Sequence, residues 1–152
     1  MEVLRSLLIK LLEGGQACDT FDSVVAEFDI ANAFAIPAGA EHSAWQIVEH
    51  MRIALKDILQ FSSNEDGHYK AMKWPDDYWP TNPEASEALW RDSLSAYRKV
   101  RAEFERLLQD ANNDLFASFA WGEGQTLCRE ALVAAQHEAY HLGELVMLRR
   151  MI

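Results

Sequence analysis

The stretch HEAYHLGE, residues 137–144, determines how the last quarter of the chain folds. His137 and His141 are four residues apart, so in an α-helix both side chains lie on one face. At this spacing two imidazoles can bind one metal ion. The face continues as an inward stripe, which predicts one long helix from about residue 127 to the end of the sequence. The stripe consists of Leu127, Ala134, His137, His141, Leu145 and Leu148.

Two amphipathic helices are predicted in the first half of the chain. The first covers residues 2–13 and ends at a pair of glycines. The second begins at Ser43, because Gln46 completes a capping-box pattern. Between them we expect a short helical piece capped near residue 20 and an irregular segment over residues 31–41.

A third helix is predicted to begin at Asn82, because Pro83 and Glu84 follow it in the pattern typical of a helix start. We expect it to be the longest of the helices. Together with the others it gives four long helices without any period-2 segment, which predicts an all-α four-helix bundle. We expect a single domain over residues 1–152, with long connections after helices 1 and 2.

Composition narrows the classes of function. The 152 residues include 24 acidic and 14 basic side chains, a formal charge of −10, without a lysine or arginine cluster, so nucleic acid is not an expected partner. No apolar run has membrane-spanning length and no signal-peptide pattern occurs, so we expect no membrane partner and a cytoplasmic location. Cys18 and Cys128 are isolated, which argues against a disulfide framework or a zinc knuckle.

The third metal ligand is predicted on the second helix. His50 lies between Ile47 and Ala54 on the apolar stripe, so its ring points toward the core. Three buried neutral imidazoles need partners for six ring nitrogens, and one divalent metal ion would bind three of these at once. We therefore expect a metal site of His50, His137 and His141. The alternative is three hydrogen-bonded structural histidines.

The remaining two histidines are assigned elsewhere. His42 precedes the second helix and is expected to cap it or to lie on the surface. His68 is in a polar loop and is expected to be solvated.

The residues from His137 to His141 also spell the H-E-x-x-H sequence of zinc peptidases, in which Glu138 would be the general base. The extended form with a downstream glycine and third histidine is absent, because Glu144 and Met147 occupy those positions. A peptidase is therefore not favoured.

Several short motifs follow one another over nearly the whole chain. They are Ser43-Ala44-Trp45-Gln46 before His50, Trp74-Pro75 and Tyr78-Trp79-Pro80, Gln125-Thr126-Leu127, and His137-x-x-Tyr140-His141-Leu142-Gly143. In these motifs the chain resembles the DinB-like superfamily of bacterial proteins. The resemblance implies a four-helix bundle that binds a divalent metal ion, usually nickel or zinc. The three histidine ligands of the family match His50, His137 and His141.

The resemblance also carries expectations about activity and partners. Characterised members include thiol-dependent S-transferases and a thiol-dependent isomerase that use low-molecular-weight thiols, and many members form homodimers. The family name refers to damage-inducible expression and implies no contact with DNA, in agreement with the acidic charge.

Glu144 departs from the family pattern, which often has glutamine at this place. It lies three residues beyond His141 and seven beyond His137, on the same helix face. The carboxylate could serve as a fourth ligand, as an acceptor that orients an imidazole, or as a general base. A solvated charge at the edge of the bundle is the alternative.

The loop between the second and third helices carries Trp74, Tyr78 and Trp79. We expect these side chains to form the wall of a substrate site over the open side of the metal. The alternative is a loop that is simply anchored on the bundle surface.

Three neutral imidazoles leave a metal ion its charge and its open coordination positions, as in catalytic sites. The expected function is a thiol-dependent S-transferase in which the three-histidine site activates a small thiol. One alternative is a metal-dependent hydrolase using metal-bound hydroxide, with Glu144 or Glu138 as base. The other is a non-catalytic, stress-related metal-binding dimer.

Overall fold

The computed structural model describes residues 1–64 and 66–152, and these contain six α-helices and no β-strand. The all-α prediction is confirmed. An isolated antiparallel bridge joins Ser118 and Thr126. No helix in the described part of the chain has both the length and the apolar character needed to cross a bilayer. The helices are α1 (Glu2–Glu13), α2 (Phe21–Val25), α3 (Ile30–Phe34), α4 (Ala44–Ser62), α5 (Glu87–Gln109) and α6 (Leu127–Met151).

The two helices that carry the inward histidines begin where the sequence predicts. At the start of α4, Ser43 Oγ accepts a hydrogen bond from the Gln46 amide at 3.2 Å. Gln46 Oε1 accepts one from the Ser43 amide at 3.1 Å, which completes the capping box. At the start of α6, Thr126 Oγ1 accepts from the Arg129 amide at 3.2 Å. These caps fix the registers of α4 and α6 and therefore the heights of their histidines.

The predicted start of the third long helix is wrong, and so is the prediction that it is the longest, because α5 has 23 residues and α6 has 25. Helix α5 begins at Glu87, and the cap is Ser86, whose Oγ accepts from the Leu89 amide. Asn82 cannot act as a cap because its side chain is used elsewhere. Its Oδ1 accepts from Ser43 Oγ at 2.7 Å and its Nδ2 donates to the Phe34 carbonyl at 2.9 Å. A tertiary contact has therefore overridden a local helix-start signal.

The segment between α1 and α4 contains more helix than predicted. The expected short helical piece is α2, with Thr20 as its cap. The segment over residues 31–41 was predicted to be irregular, but its first part belongs to α3. Asp29 caps α3 by accepting from the Asn32 amide at 2.8 Å.

Helix α4 packs against both α5 and α6, and α1 packs against the same two helices. The shared core contains fully buried side chains from all four, among them Leu12, Val48, Phe104 and Leu145. Helices α2 and α3 add Phe21, Val24, Ala33 and Phe34 to this core. Because α4 and α6 are in direct contact, an inward side chain on one can meet inward side chains on the other.

Candidate metal centre

The three histidines predicted as ligands lie together between α4 and α6. His50 and His141 are buried, with 1% and 4% of their surfaces exposed, and His137 is partly buried. His137 Nε2 lies 3.1 Å from His50 Nε2 and 3.1 Å from His141 Nε2. One nitrogen from each of the three rings falls within 4.8 Å of the other two. The structure therefore brings together three imidazole nitrogens that can hold a metal ion.

Hydrogen bonds at the far side of two rings determine where their protons are. His50 Nδ1 lies 3.0 Å from the Tyr78 carbonyl oxygen, which can only accept, so Nδ1 carries the proton. His141 Nδ1 likewise donates to Glu144 Oε2 at 2.6 Å. In a neutral ring the other nitrogen, Nε2, then presents a free lone pair. Both lone pairs face His137.

This arrangement fits a cation better than it fits three hydrogen-bonded histidines. His137 Nε2 has at most one proton, which cannot satisfy the lone pairs of His50 and His141 equally well. In a tetrahedral site with metal–nitrogen distances of about 2.0–2.1 Å, neighbouring nitrogens are about 3.3 Å apart. The two distances of 3.1 Å are close to that value. The donor set therefore fits a divalent metal ion.

Burial keeps two of the rings in the neutral form that metal binding requires. Burial lowers the pKa of His50 to about 4, although the hydrogen bond to the Tyr78 carbonyl acts in the opposite direction. Burial also lowers the pKa of His137 to about 3, and the neighbouring His141 and His50 add to the effect. Near pH 7 both rings are neutral and their Nε2 lone pairs are available.

Glu144 lies on the Nδ1 side of His141, away from the three converging Nε2 atoms. Burial alone would raise the pKa of its carboxyl, but the hydrogen bond from His141 lowers it below its usual value. The carboxylate therefore stays ionised and accepts from the imidazole. Of the roles considered from the sequence, this geometry corresponds to the acceptor that orients an imidazole.

The aromatic loop covers His50. Trp79 stacks on the His50 ring with centroids 3.8 Å apart and an interplanar angle of 2°. His42 stacks on Trp79 at the same distance. Trp74 and Tyr78 approach the His50 ring edge-on at 6.2 and 6.4 Å, and Trp74 is 65% exposed. The three aromatic side chains predicted for a substrate wall thus all lie beside one candidate ligand.

Residues 78–82, here called the strap, run along the first half of α4. Three hydrogen bonds join the strap to the helix in consecutive order. The pairs are His50 with Tyr78, Gln46 with Pro80 and Ser43 with Asn82, at 3.0, 2.8 and 2.7 Å.

A fourth bond holds the Tyr78 side chain, whose hydroxyl donates to Asp57 Oδ2 at 2.7 Å. Sequence reasoning missed Asp57. It lies seven residues after His50, which is two helical turns and the same face, so this spacing was the available signal.

Glu138 lies on a different side of α6 from Glu144. Its carboxylate is buried and faces α5, where Oε1 is 3.8 Å from Arg101 Nη1. Burial raises the pKa of Glu138 to about 7, although Tyr97 and Arg101 lower it. Glu138 is not one of the groups whose atoms converge as possible metal ligands.

The other histidine, His68, is exposed and pairs with Asp66 at 2.8 Å, as the prediction of a solvated loop position requires. His42 is only partly exposed, and its stacking on Trp79 was not predicted. The sequence around His42 does not indicate this contact, because Trp79 lies in a loop far along the chain.

Comparison with known proteins gave one match. The family model of the DinB superfamily matches residues 15–145, which include all three clustered histidines and the aromatic loop. No curated protein and no solved structure matches the chain.

Proposed function

The chain belongs to the DinB superfamily, and from this membership and the three-histidine cluster we propose that it is a divalent-metal-dependent enzyme, most concretely a thiol-dependent S-transferase. The observation that carries the proposal is the convergence of three imidazole nitrogens while two of the rings are fixed from behind by acceptors. Catalytic sites with three histidine ligands leave room for a further ligand on the metal.

In this proposal His50, His137 and His141 hold the metal ion, which is zinc or nickel. Imidazole suits both metals. Glu144 and the Tyr78 carbonyl are positioning groups that fix the proton on Nδ1 and turn Nε2 toward the metal. When bound, the metal supplies Lewis acidity, which lowers the pKa of a thiol or water that binds beside the histidines.

The group that is transferred to the thiol contains an electrophilic carbon and comes from a small substrate. The thiol loses its proton to solvent, its sulfur forms a bond to the carbon, and the bond from carbon to the leaving group breaks with its electron pair. Trp74, Tyr78 and Trp79 form the apolar wall that binds the electrophile and keeps water from competing with the thiol. Their position around His50 supports this role.

The metal site is tested by metal analysis of protein purified without a histidine tag. We expect about one zinc or nickel ion per chain, and less than a tenth of that in the His50→Ala, His137→Ala and His141→Ala variants. His68→Ala is the matched control, because this exposed histidine is outside the cluster, and it should keep its metal. Full metal content in His50→Ala would refute the three-histidine site.

The activity is tested with the metal-loaded protein, an activated aryl halide and a panel of small thiols. We expect product formation that depends on both the metal and one preferred thiol. Metal binding without turnover of any thiol would reject the transferase and leave the metal site intact.

A second candidate function is a non-catalytic protein in which the metal joins α4 to α6. The burial of His50 and His141 and the cover provided by Trp79 favour it, because closed sites are typical of structural metals. A large metal-dependent rise in melting temperature without turnover would support this candidate. A hydrolase with Glu144 or Glu138 as base would instead show ester or amide cleavage that requires no thiol.

We also propose that the four long helices form a four-helix bundle in a single domain over residues 1–152, and that the protein is a cytoplasmic homodimer. The pairwise packing of α1, α4, α5 and α6 supports the bundle. The family resemblance supports the dimer, which sedimentation analysis would test.

A further inference from the structure

A small cavity lies behind the histidine cluster, where α4, α5 and α6 meet. Its volume is about 10 Å³. Apolar side chains form most of the wall, and three polar residues complete it. The lining consists of Met51, Leu55, Ile58 and Ala134 on the apolar side and Tyr97, His137 and Glu138 on the polar side.

Two of the polar residues have buried atoms without a hydrogen-bond partner. Tyr97 is 1% exposed and Glu138 is 5% exposed. The Tyr97 hydroxyl lies close to the Glu138 carboxylate, but neither it nor either carboxylate oxygen has a partner within hydrogen-bond distance. Arg101 lies 3.8 Å from Glu138 Oε1, which gives electrostatic attraction but is too far for a hydrogen bond. Leaving a buried polar atom without a partner is costly, so three such atoms around one cavity indicate a polar occupant.

His137 is the third polar member of the wall, and it differs from the other two histidines. His50 Nδ1 donates to the Tyr78 carbonyl and His141 Nδ1 donates to Glu144. The Nε2 of His137 faces the other two rings. Within residues 1–64 and 66–152 no protein acceptor stands within hydrogen-bond distance of His137 Nδ1. Metal-binding histidines almost always donate this second N–H to an acceptor.

The size and polarity of the cavity match a single water molecule. A water needs a cavity of about 10–15 Å³ and two to four polar partners. The Tyr97 hydroxyl, the Glu138 carboxylate and the His137 ring supply that number. An apolar occupant would leave the carboxylate unpaired.

We propose that this cavity is a binding site for one ordered water, which accepts the Nδ1 proton of His137 and donates to Glu138, with the Tyr97 hydroxyl as its third partner. Glu138 and Tyr97 are then positioning residues that act on the metal ligand His137 through the water, a role that rests on the proposed metal site. The glutamate of the H-E-x-x-H sequence serves to orient a ligand from behind instead of acting as a base in front of the metal.

The water itself is tested without any metal. A crystal structure of the metal-free full-length protein at about 1.5 Å should show one water between Glu138, Tyr97 and His137. Glu138→Leu should abolish this water, and Glu138→Gln, which keeps an acceptor oxygen, should retain it. Arg101 keeps Glu105 and Asp22 as ionic partners in both variants, so neither leaves it unpaired. An empty cavity in the wild-type crystal overturns the proposal.

The positioning role is tested by proton NMR of the Co²⁺-loaded protein. Three exchangeable, hyperfine-shifted imidazole N–H signals are expected, one for each ligand. Tyr97→Phe and Glu138→Leu should change the shift and the solvent exchange of only the His137 signal. Glu138→Leu should weaken Co²⁺ binding about 10- to 100-fold, and Glu138→Gln should restore most of the affinity.

Glu130→Gln is the matched control. Glu130 is a buried carboxylate on the same helix, pairs with Arg129 and does not line the cavity. Its replacement should leave all three signals unchanged. If the His137 signal and the Co²⁺ affinity were also unchanged in Glu138→Leu, the positioning role would be refuted. Failure of Co²⁺ to bind the wild type would instead reject the proposed metal function, while the metal-free crystal would still decide the water site.

Discussion

His141 and His50 are both oriented by a hydrogen bond from Nδ1, but the two acceptors lie at different distances along the sequence. His141 Nδ1 donates to Glu144, three residues later in the same helix. His50 Nδ1 donates to the backbone carbonyl of Tyr78, which is 28 residues away in the strap. The first anchor forms with α6 itself, whereas the second exists only when the strap is closed against α4. One site therefore combines a local anchor with one that depends on tertiary structure.

The centre requires neutral imidazole rings, so lowering the pH is expected to have the largest effect. The pKa values of His50 and His137 are about 4 and about 3 in the folded protein, against 6.5 in the unfolded chain. Between pH 6.5 and about 4 the unfolded chain therefore binds more protons, and the free energy of unfolding falls as the pH falls. We expect the melting temperature of the metal-free protein to drop by roughly 5 °C or more from this cause.

Glu138 changes the free energy of unfolding in the opposite direction as the pH falls, because its pKa of about 7 in the folded protein lies above its unfolded value of 4.5. A variant comparison separates the two effects. His50→Gln and His137→Gln should each lose part of the dependence between pH 7 and pH 5 in calorimetric scans. Equal pH dependence in the wild type and in both variants would contradict the prediction.

Loss of the local anchor is expected to have the next largest effect. Glu144→Ala removes the acceptor of His141, and we expect metal affinity to fall about 10- to 100-fold in titrations against a chelator of known affinity. Glu144→Gln keeps an acceptor oxygen and should stay close to wild type. Equal losses in both variants would show that the carboxylate charge matters instead of the acceptor.

Loosening the distant anchor should cost less. Tyr78→Phe removes only the hydroxyl that donates to Asp57 and leaves the backbone carbonyl that orients His50. One hydrogen bond is worth about 1 kcal/mol, so we expect metal affinity to fall about fivefold. Asp57→Ala, which removes the acceptor of this hydrogen bond, should match it. If Tyr78→Phe exceeded the effect of Glu144→Ala, the strap would be the dominant anchor.

A change that removes neither of the two anchoring hydrogen bonds should leave the metal in place. Trp74 is exposed and makes only edge-on ring contact with His50. We expect Trp74→Ala to keep the full metal content while raising KM for the electrophile a few times, because it removes part of the apolar wall. Unchanged KM would remove Trp74 from the substrate wall.

The sequence could predict the local half of this site and not the distant half. His137, His141 and Glu144 share one face of one helix, so spacing alone brings them together. His50 was also accessible, because it lies on the inward stripe of a helix with a recognisable cap. The Tyr78 carbonyl has no signal in the sequence, since every residue carries a carbonyl. The error at the start of α5 has the same origin, because Asn82 fits a helix cap locally but is taken by Ser43 and Phe34.

The strap is joined to α4 by a row of three hydrogen bonds. The pairs formed by residues 78, 80 and 82 follow one another along the helix, so each closed pair holds the next within reach. Breaking any single pair releases little movement, and wide opening requires all of them to break in succession. The cover that Trp79 provides over His50 therefore depends on the whole row of three bonds and not on any single one.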